Sequence, residues 1–323
     1  MTPPVIKPLA SGERLLTVST GPHWRVGDGI RRLSLYGLLA LLPAIVMAVS
    51  TYGMGAIRVF ALSGSVCVLV EALCQKMMGR DIDVDNFNAF YMGVLFAFLL
   101  PAQTPWWTVV LGAALTASLG RMVFGGGGSS PLCAPLVAWA VCRISWPASL
   151  DIDLTMASNA LNEPLAQLKF FGPEALMSQY SYTDLFLGHT LGSIGASQVA
   201  ALLLGGIFLI GTRKIRWYIP VAFLVGVFAT AELYHMLNPE LYVSGLYHVL
   251  GGSVIFGAFF LATDTSSSPN GRTPQLLFGL IGGILVMIIR VYGMYPDGVT
   301  FAILLANLLS PLLDRIRPRP FGG

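Results

Sequence analysis

The sequence predicts an all-α polytopic membrane protein of about ten transmembrane helices in a 5+5 inverted repeat, with the N- and C-termini cytoplasmic. Three observations carry this prediction. Apolar residues fill 55% of the 323 positions and charged residues only 11%, with a mean hydropathy of +0.72, whereas an ordinary soluble domain is about a quarter charged. Apolar runs near the length that crosses ~30 Å of hydrocarbon follow one another with short polar gaps. Lysine and arginine gather in alternate gaps, as they do on the cytoplasmic side of membrane proteins.

Residues 1–32 are polar and basic, with Lys7, Arg14, Arg25, Arg31 and Arg32 and no apolar core of their own. They read as a cytoplasmic N-terminal arm and not as a cleavable signal. A membrane domain is expected over residues 33–313. Its first half, 33–147, holds spans at about 33–52, 55–75, 87–101, 106–124 and 131–147, and its second half, 195–313, holds spans at about 195–212, 217–236, 246–262, 274–294 and 297–313. Loop 148–194, whose single basic residue is Lys169, joins the halves on the outer side, and residues 314–323 form a cytoplasmic tail with Arg315, Arg317 and Arg319. Lys76 and Arg80 after the second span, and Arg213, Lys214 and Arg216 after the sixth, fall on the side of the termini. Arg58, Arg143 and Arg290 fall near outer ends, where long side chains snorkel. Cys67, Cys74, Cys133 and Cys142 lie inside apolar runs without the close pairing that a metal or iron–sulfur site prefers, and they read as helix packing.

The inverted repeat has a test within the sequence. The third span contains "GVLFAFLLPAQTP" from Gly93 and the eighth contains "GAFFLATDTSSSP" from Gly257. In both, glycine precedes proline by twelve residues with a phenylalanine three after the glycine. Short, interrupted helices at matching positions in two halves point to a site near the midplane.

Chemistry-bearing groups cluster around that point. Thr263, Asp264, Ser266, Ser267 and Ser268 supply hydroxyls and a carboxylate where an apolar helix stops. Such groups at membrane depth are costly unless they line a cavity or bind something; the plainer reading is a cytoplasmic loop turning at Ser268-Pro269. Two glycine-rich segments accompany them, "FGGGGSSP" from Phe124 and "HTLGSIGAS" from His189. Glycine lets a backbone approach a flat ring or a phosphate, although neither segment matches a P-loop. Glu71 and Glu232 are the embedded acids, at matching places in the two halves. A carboxylate there serves an ion path or a structural partner, and His235 is one turn from Glu232 as a possible mate. No grouping reads as a hydrolytic triad or a metal site, so no catalytic residue and no metal ligand is assigned.

The stretches "EALCQK" (Glu71 to Lys76), "GSIGAS" (Gly192 to Ser197), "GGSVIFGAFFLATDTSSSP" (Gly251 to Pro269), "RVYGMYPDGVTFAILLANLLSPLLDR" (Arg290 to Arg315) and the tail "RPRPFG" resemble the RnfD subunits of Rnf complexes and, more distantly, NqrB subunits of sodium-pumping NADH:quinone oxidoreductases. The resemblance covers nearly all ten spans. It implies a flavin-carrying membrane subunit of an ion-translocating ferredoxin:NAD oxidoreductase in a bacterial cytoplasmic (inner) membrane, with the other Rnf-type subunits and the lipid bilayer as partners and no nucleic acid. It also implies FMN on a threonine of a motif like "SGATPLA", in the outer loop after the fifth span, and riboflavin deeper in. Here the matching stretch reads "SNALNEPLA" from Ser158, with Asn159 at the glycine and Leu161 at the threonine, so the covalent FMN threonine is absent. FMN and/or riboflavin is then expected noncovalently. Gly192, Ser193, Gly195, Gly251, Gly252, Thr263, Asp264, Ser267 and Ser268 are the residues expected around a flavin or a cavity, and Glu71 and Glu232 along an ion path. The expected function is electron transfer coupled to ion movement, in which the chain does not catalyse the whole reaction alone. The alternatives are a passive channel or transporter on the same repeat, and a scaffold subunit without cofactor.

Overall fold

The computed structural model describes residues 29–151, 163–173, 181–188, 190 and 192–316. The first-half helices are α1 (Ile30–Tyr52), α2 (Met54–Met77), α3 (Asn88–Phe98), α4 (Trp106–Ala117) and α5 (Ala134–Ser145). The connecting segment carries α6 (Pro164–Phe171) and α7 (Tyr182–Leu187). The second half has α8 (Val199–Gly211), α9 (Tyr218–Leu237), α10 (Gly245–Leu250), α11 (Val254–Phe256) running into a π-helical turn (Gly257–Leu261), α12 (Arg272–Tyr292) and α13 (Val299–Leu313). Every described element is helical, as the apolar runs predict.

Among the described residues, five segments are long and apolar enough to cross a membrane: Ile30–Tyr52, Met54–Met77, Trp106–Phe124, Tyr218–Leu237 and Arg272–Tyr292. The other expected spans are shorter or broken. The run predicted at 246–262 is not one helix, because the chain breaks at Gly251-Gly252, where Gly252 takes a φ of +73°. The fourth expected span, 106–124, keeps regular α-helix only to Ala117 and finishes as a 3₁₀ turn, Met122–Phe124. α1 and α2 meet at Gly53, whose φ of +61° a side chain rarely adopts.

Association of helices within a bilayer rests on close van der Waals packing, since lipid tails are as apolar as leucine. Glycine and alanine accordingly mark the contacts. α9 packs along α12 through Gly226 and Gly283, where a Cβ on Gly283 would stand 2.3 Å from the Phe223 carbonyl oxygen. α1 packs on α8, where a Cβ on Gly205 would stand 2.1 Å from the Ala40 carbonyl oxygen. In the middle, four phenylalanines form a chain, with ring centroids 5.0 Å apart for Phe60–Phe98, 5.3 Å for Phe98–Phe256 and 5.9 Å for Phe256–Phe260. The two interrupted helices, α3 and α11, therefore touch ring to ring. Leu, Ile and Val on the outer faces of α1, α2, α8 and α9, such as Val46, Leu69, Leu204 and Leu233, are exposed, as a lipid-facing surface requires.

Gly283→Leu is expected to destabilise the α9–α12 contact by about 1–3 kcal/mol, the usual cost of overpacking. Gly211→Ala, with nothing within 4 Å of the added carbon, is expected to be silent. Thermal midpoints of the two variants in detergent check both outcomes.

Candidate functional site

Thr263, Asp264 and Ser266 border one cavity and Ser193 another, and the two share no lining residue. Ile30 and Ser34 of α1, Asn88 and Tyr91 of α3 and Ala134 of α5 border the first. Leu99 just past α3, Trp139 and Arg143 of α5 and Thr300 of α13 border the second. Both α3 and α5 thus present their N-terminal ends to one cavity and their C-terminal ends to the other, and at 1.5 Å per residue the cavities lie ~10–15 Å apart along the bundle. The phenylalanine chain lies between these ends.

The first cavity holds about 110 Å³ and is bordered by Arg121, Phe259, Thr263, Asp264 and Ser266. The polar knot that closes it is internally bonded. Ser266 Oγ and Ser267 Oγ donate to Asp264 Oδ2 at 2.6 and 3.1 Å, Ser268 N donates to the Asp264 carbonyl at 3.1 Å, and Thr263 Oγ1 donates to the Phe259 carbonyl at 2.6 Å. Ser130 Oγ reaches Ser266 Oγ at 3.1 Å and ties the glycine-rich segment to the knot. The space suits an ion or a few waters, since organic ligands occupy pockets of roughly 300 Å³ or more.

Beside it lies an ion pair that sequence reading missed. Arg121 Nη1 donates to Glu71 Oε2 at 2.7 Å, with side chains only 5% and 2% exposed. Gln75 Nε2 donates to Glu71 Oε1 at 3.3 Å, and Gln75 Oε1 accepts from Asp83 N at 2.9 Å. The glycine run explains itself here. Gly125, Gly126 and Gly128 have positive φ, and a Cβ on Gly127 would stand 2.6 Å from Arg121 Nη2, so the loop closes round the guanidinium. The available signal was an arginine followed by a glycine run inside an apolar span.

Glu232 is half-buried and accepts from Gly245 N at 2.8 Å. Its expected mate turns elsewhere, because His235 Nδ1 meets the Tyr242 carbonyl at 2.6 Å. The two acids at matching sequence positions therefore have different surroundings.

At the other end, Arg290 is 5% exposed. This corrects its reading as a snorkelling residue. Its Nη1 donates to the His248 carbonyl at 2.7 Å, and its Nη2 donates to the Gly251 carbonyl at 2.8 Å and to Asp297 Oδ1 at 3.1 Å. Asp297 Oδ2 accepts from the Ser253 amide and hydroxyl. Gly251 and Gly252 are thus held against Arg290 and Asp297; a Cβ on Gly252 would stand 2.8 Å from Arg290 Nη2. Lys169 donates to the carbonyls of Arg290, Gly293 and Tyr295, closing the C-terminal end of α12, and burial pushes its ammonium below the ordinary lysine range.

The second cavity, about 670 Å³, opens beside this cluster and is bordered by Trp139, Arg143, Phe170, Ser193, Ser253 and Tyr295 among others. Phe301 backs its aromatic walls, stacked on Tyr295 and edge-on to Trp139. Tyr295 and Phe301 lie 4.8 Å apart, Trp139 and Phe301 5.4 Å apart, and the Arg143 guanidinium sits 5.5 Å over Tyr295. Ser193 faces this space, whereas Gly192 borders a narrow cleft with Gly252. Gly195 is closed off by packing: its N–H donates to the Phe98 carbonyl at 2.7 Å, and a Cβ there would meet the Phe256 ring at 3.1 Å. Leu161 and its neighbours lie outside the described residues, but Glu163, two positions on, borders the cavity.

Removing one partner of a buried pair leaves an uncompensated charge. Arg121→Met is therefore expected to cost about 3–5 kcal/mol, and adding Glu71→Gln is expected to restore much of it. A double-mutant cycle on thermal midpoints in detergent checks this.

Residues 17–322 match the model of the NQR2, RnfD, RnfE family. The chain is 36% identical over 93% of its length, and 93% of the relative's, to the D subunit of the Na(+)-translocating ferredoxin:NAD(+) oxidoreductase complex of Acetobacterium woodii. It is 31% identical over 92% of its length, and 93% of the relative's, to the D subunit of the ion-translocating oxidoreductase complex of Stutzerimonas stutzeri. To the D subunit of the proton-translocating ferredoxin:NAD(+) oxidoreductase complex of Clostridium ljungdahlii it is 29% identical, over 96% of its own length and 97% of the relative's. With a family match over almost the whole chain and helices that fit a membrane protein, the chain belongs to the NQR2, RnfD, RnfE family, and these relatives are the D subunits of ion-translocating oxidoreductase complexes.

Proposed function

We propose that the chain is the membrane subunit of an Rnf-type complex that couples electron transfer between ferredoxin and NAD to ion translocation across a bacterial inner membrane. We further propose that it carries a flavin noncovalently in the aromatic cavity. The first statement rests on the named relatives, which span both chains almost fully. The second rests on the cavity. Its volume of about 670 Å³ falls in the range of organic-ligand sites, and Trp139 and Tyr295 are among the aromatic residues that border it. Arg143 would supply positive charge, Ser193 and Ser253 hydroxyls, and Asp297 an acceptor. A bound flavin would supply the capacity to take up and pass on electrons. The chain's own residues would orient it and exclude water.

Several features favour the inverted repeat. α2 packs on α4 as α9 packs on α12, α4 packs on α5 as α12 packs on α13, and across the halves α1 meets α8 and α5 meets α13. Arg121 and Arg290 each follow or end the fourth apolar run of their half, each paired with an acid and each pressed against glycine. Basic residues near the first cavity favour a cytoplasmic placement of that end. Arg80 donates to the Gly125 carbonyl, Arg216 to the Asn270 carbonyl, and Lys214 lies 4.7 Å over Tyr36.

For the ion route, we propose the Arg121–Glu71 pair and Asp264 at the first cavity, with Glu232 toward the other end. The Phe60–Phe98–Phe256–Phe260 chain between the cavities favours movement coupled to rearrangement over a passive pore.

Two measurements test this. Chain purified from cells making the whole complex and denatured in SDS and acid is expected to release about one flavin per chain, read by fluorescence and intact mass; flavin that stays attached, or none in an intact complex, contradicts noncovalent carriage. Trp139→Ala is expected to lower flavin content about tenfold, equivalent to ~1.4 kcal/mol. In membrane vesicles, Glu71→Gln combined with Arg121→Met is expected to slow ion uptake more than it lowers the amount of assembled complex; normal uptake by the double variant would sink the ion route.

A further inference from the structure

Two walls of the aromatic cavity come from distant parts of the chain. Glu163, just before α6, and Ala166 and Phe170 within it border the cavity at spacings of three and four, and so share one helix face. Met294, Tyr295, Pro296 and Asp297 border it from the stretch that follows α12. Leu165, Leu168 and Lys169 of α6 border a different cavity, of about 390 Å³. α6 therefore stands as a partition between two spaces, and whatever fastens it holds one wall of the aromatic cavity in place.

Two attachments fasten α6. The first is apolar: Leu165, Leu185, Val243 and Tyr247 form a small buried cluster apart from the main core, with Leu168 packed against it. The second is the half-buried Lys169, the single basic residue of the connecting segment. An ammonium has three N–H donors, and this one donates to the carbonyls of Arg290 at 3.3 Å, Gly293, and Tyr295 at 3.4 Å. Those carbonyls belong to the end of α12 and to the stretch after it, which is the second wall. Lys169 thus ties one wall to the other.

Capping of α12 does not by itself call for this residue. Water can meet the carbonyls at a helix end, but it cannot hold two chain segments at a fixed separation. The bond to the Tyr295 carbonyl steadies the backbone that carries the ring stacked on Phe301. Phe170, next to Lys169 in sequence, is 63% exposed, and Met294 on the second wall is 79% exposed, although both border the cavity. These two large apolar side chains, one on each wall, mark its mouth.

We propose that Lys169 is a positioning residue for the aromatic cavity: by clasping α6 to the end of α12 it keeps the two walls together around a bound flavin and slows the flavin's departure. This role presupposes the flavin carriage proposed for the same cavity. The whole complex is purified with its flavin and diluted into flavin-free buffer, and release is followed by flavin fluorescence. Lys169→Met keeps the aliphatic stem and removes the donors, Lys169→Arg keeps donors and charge, and Phe170→Ala opens the mouth while leaving the bonds of Lys169 in place.

Lys169→Met is expected to release flavin about tenfold faster than the wild type with as much complex assembled, the size of effect that loss of a charge-assisted hydrogen bond carries. Lys169→Arg is expected to stay near the wild type, and Phe170→Ala to release faster. Equal release by the wild type and Lys169→Met overturns the clasp and leaves the flavin reading standing. Release as fast from Lys169→Arg as from Lys169→Met also overturns it, because the donors are then not what holds the walls. A wild-type complex without flavin overturns both readings together. Where Lys169→Met does not assemble, Phe170→Ala decides: unchanged release shows that the α6 wall does not retain the flavin and overturns the proposal.

Discussion

Backbone carbonyls freed where a helix breaks inside a membrane domain have no water to turn to, and the Arg290 guanidinium supplies what water would have supplied. It donates to the carbonyls of His248 and Gly251, on either side of the end of α10, while its acid partner Asp297 takes the Ser253 amide that begins the next segment. Each unsatisfied group of this kind costs several kcal/mol in hydrocarbon, so Arg290 and Asp297 together stabilise the broken helix. The direction of α11 depends on that break, and with it the seat of Phe256 against Phe98 and the position of the polar knot after Leu261.

The break in the first half is satisfied differently. α3 stops at Phe98, and the carbonyls of Phe98 and Leu100 accept from the amides of Gly195 and Ile194, at the end of the segment that connects the halves. Each half thus has an interrupted helix, one closed by a charged side chain and the other by backbone. Arg121, also buried, has a different task, since its partner is the buried Glu71 and its enclosure is the glycine run. Pairing a buried charge with an acid and surrounding it with backbone resolves the desolvation problem without adding much stability, because the attraction roughly offsets the cost of burial.

The two ends of the bundle therefore differ in character. One is small and polar, with a carboxylate held by its own serines and an arginine pair alongside. The other is wide and aromatic, with Tyr295 stacked on Phe301 and Trp139 edge-on to it beside a clamped helix break. The row of phenylalanines between them is buried, ring against ring. An electron carrier at one end and an ion at the other would be linked through helices that already touch at that row.

Composition and the length of the apolar runs determined the fold class, because transfer of so apolar a chain into lipid leaves helices as the economical way to satisfy the backbone. That both segments ahead of Pro105 and Pro269 are short was legible too, from the early glycines and prolines that interrupt them. The polar knot could be named from its residues, but its self-contained bonding could not, because Asp264 and its serines gave no sign of whether they bonded to one another or to a ligand. Only the tertiary structure decided which distant residues share a cavity. Arg121 lies 50 positions from Glu71 and Arg290 lies 39 from Gly251, separations across which neither spacing nor hydropathy carries information. For the same reason, glycines that looked like ligand contacts, Gly127 and Gly252, turned out to make room for arginines, a role that depends on the approach of a side chain from another element.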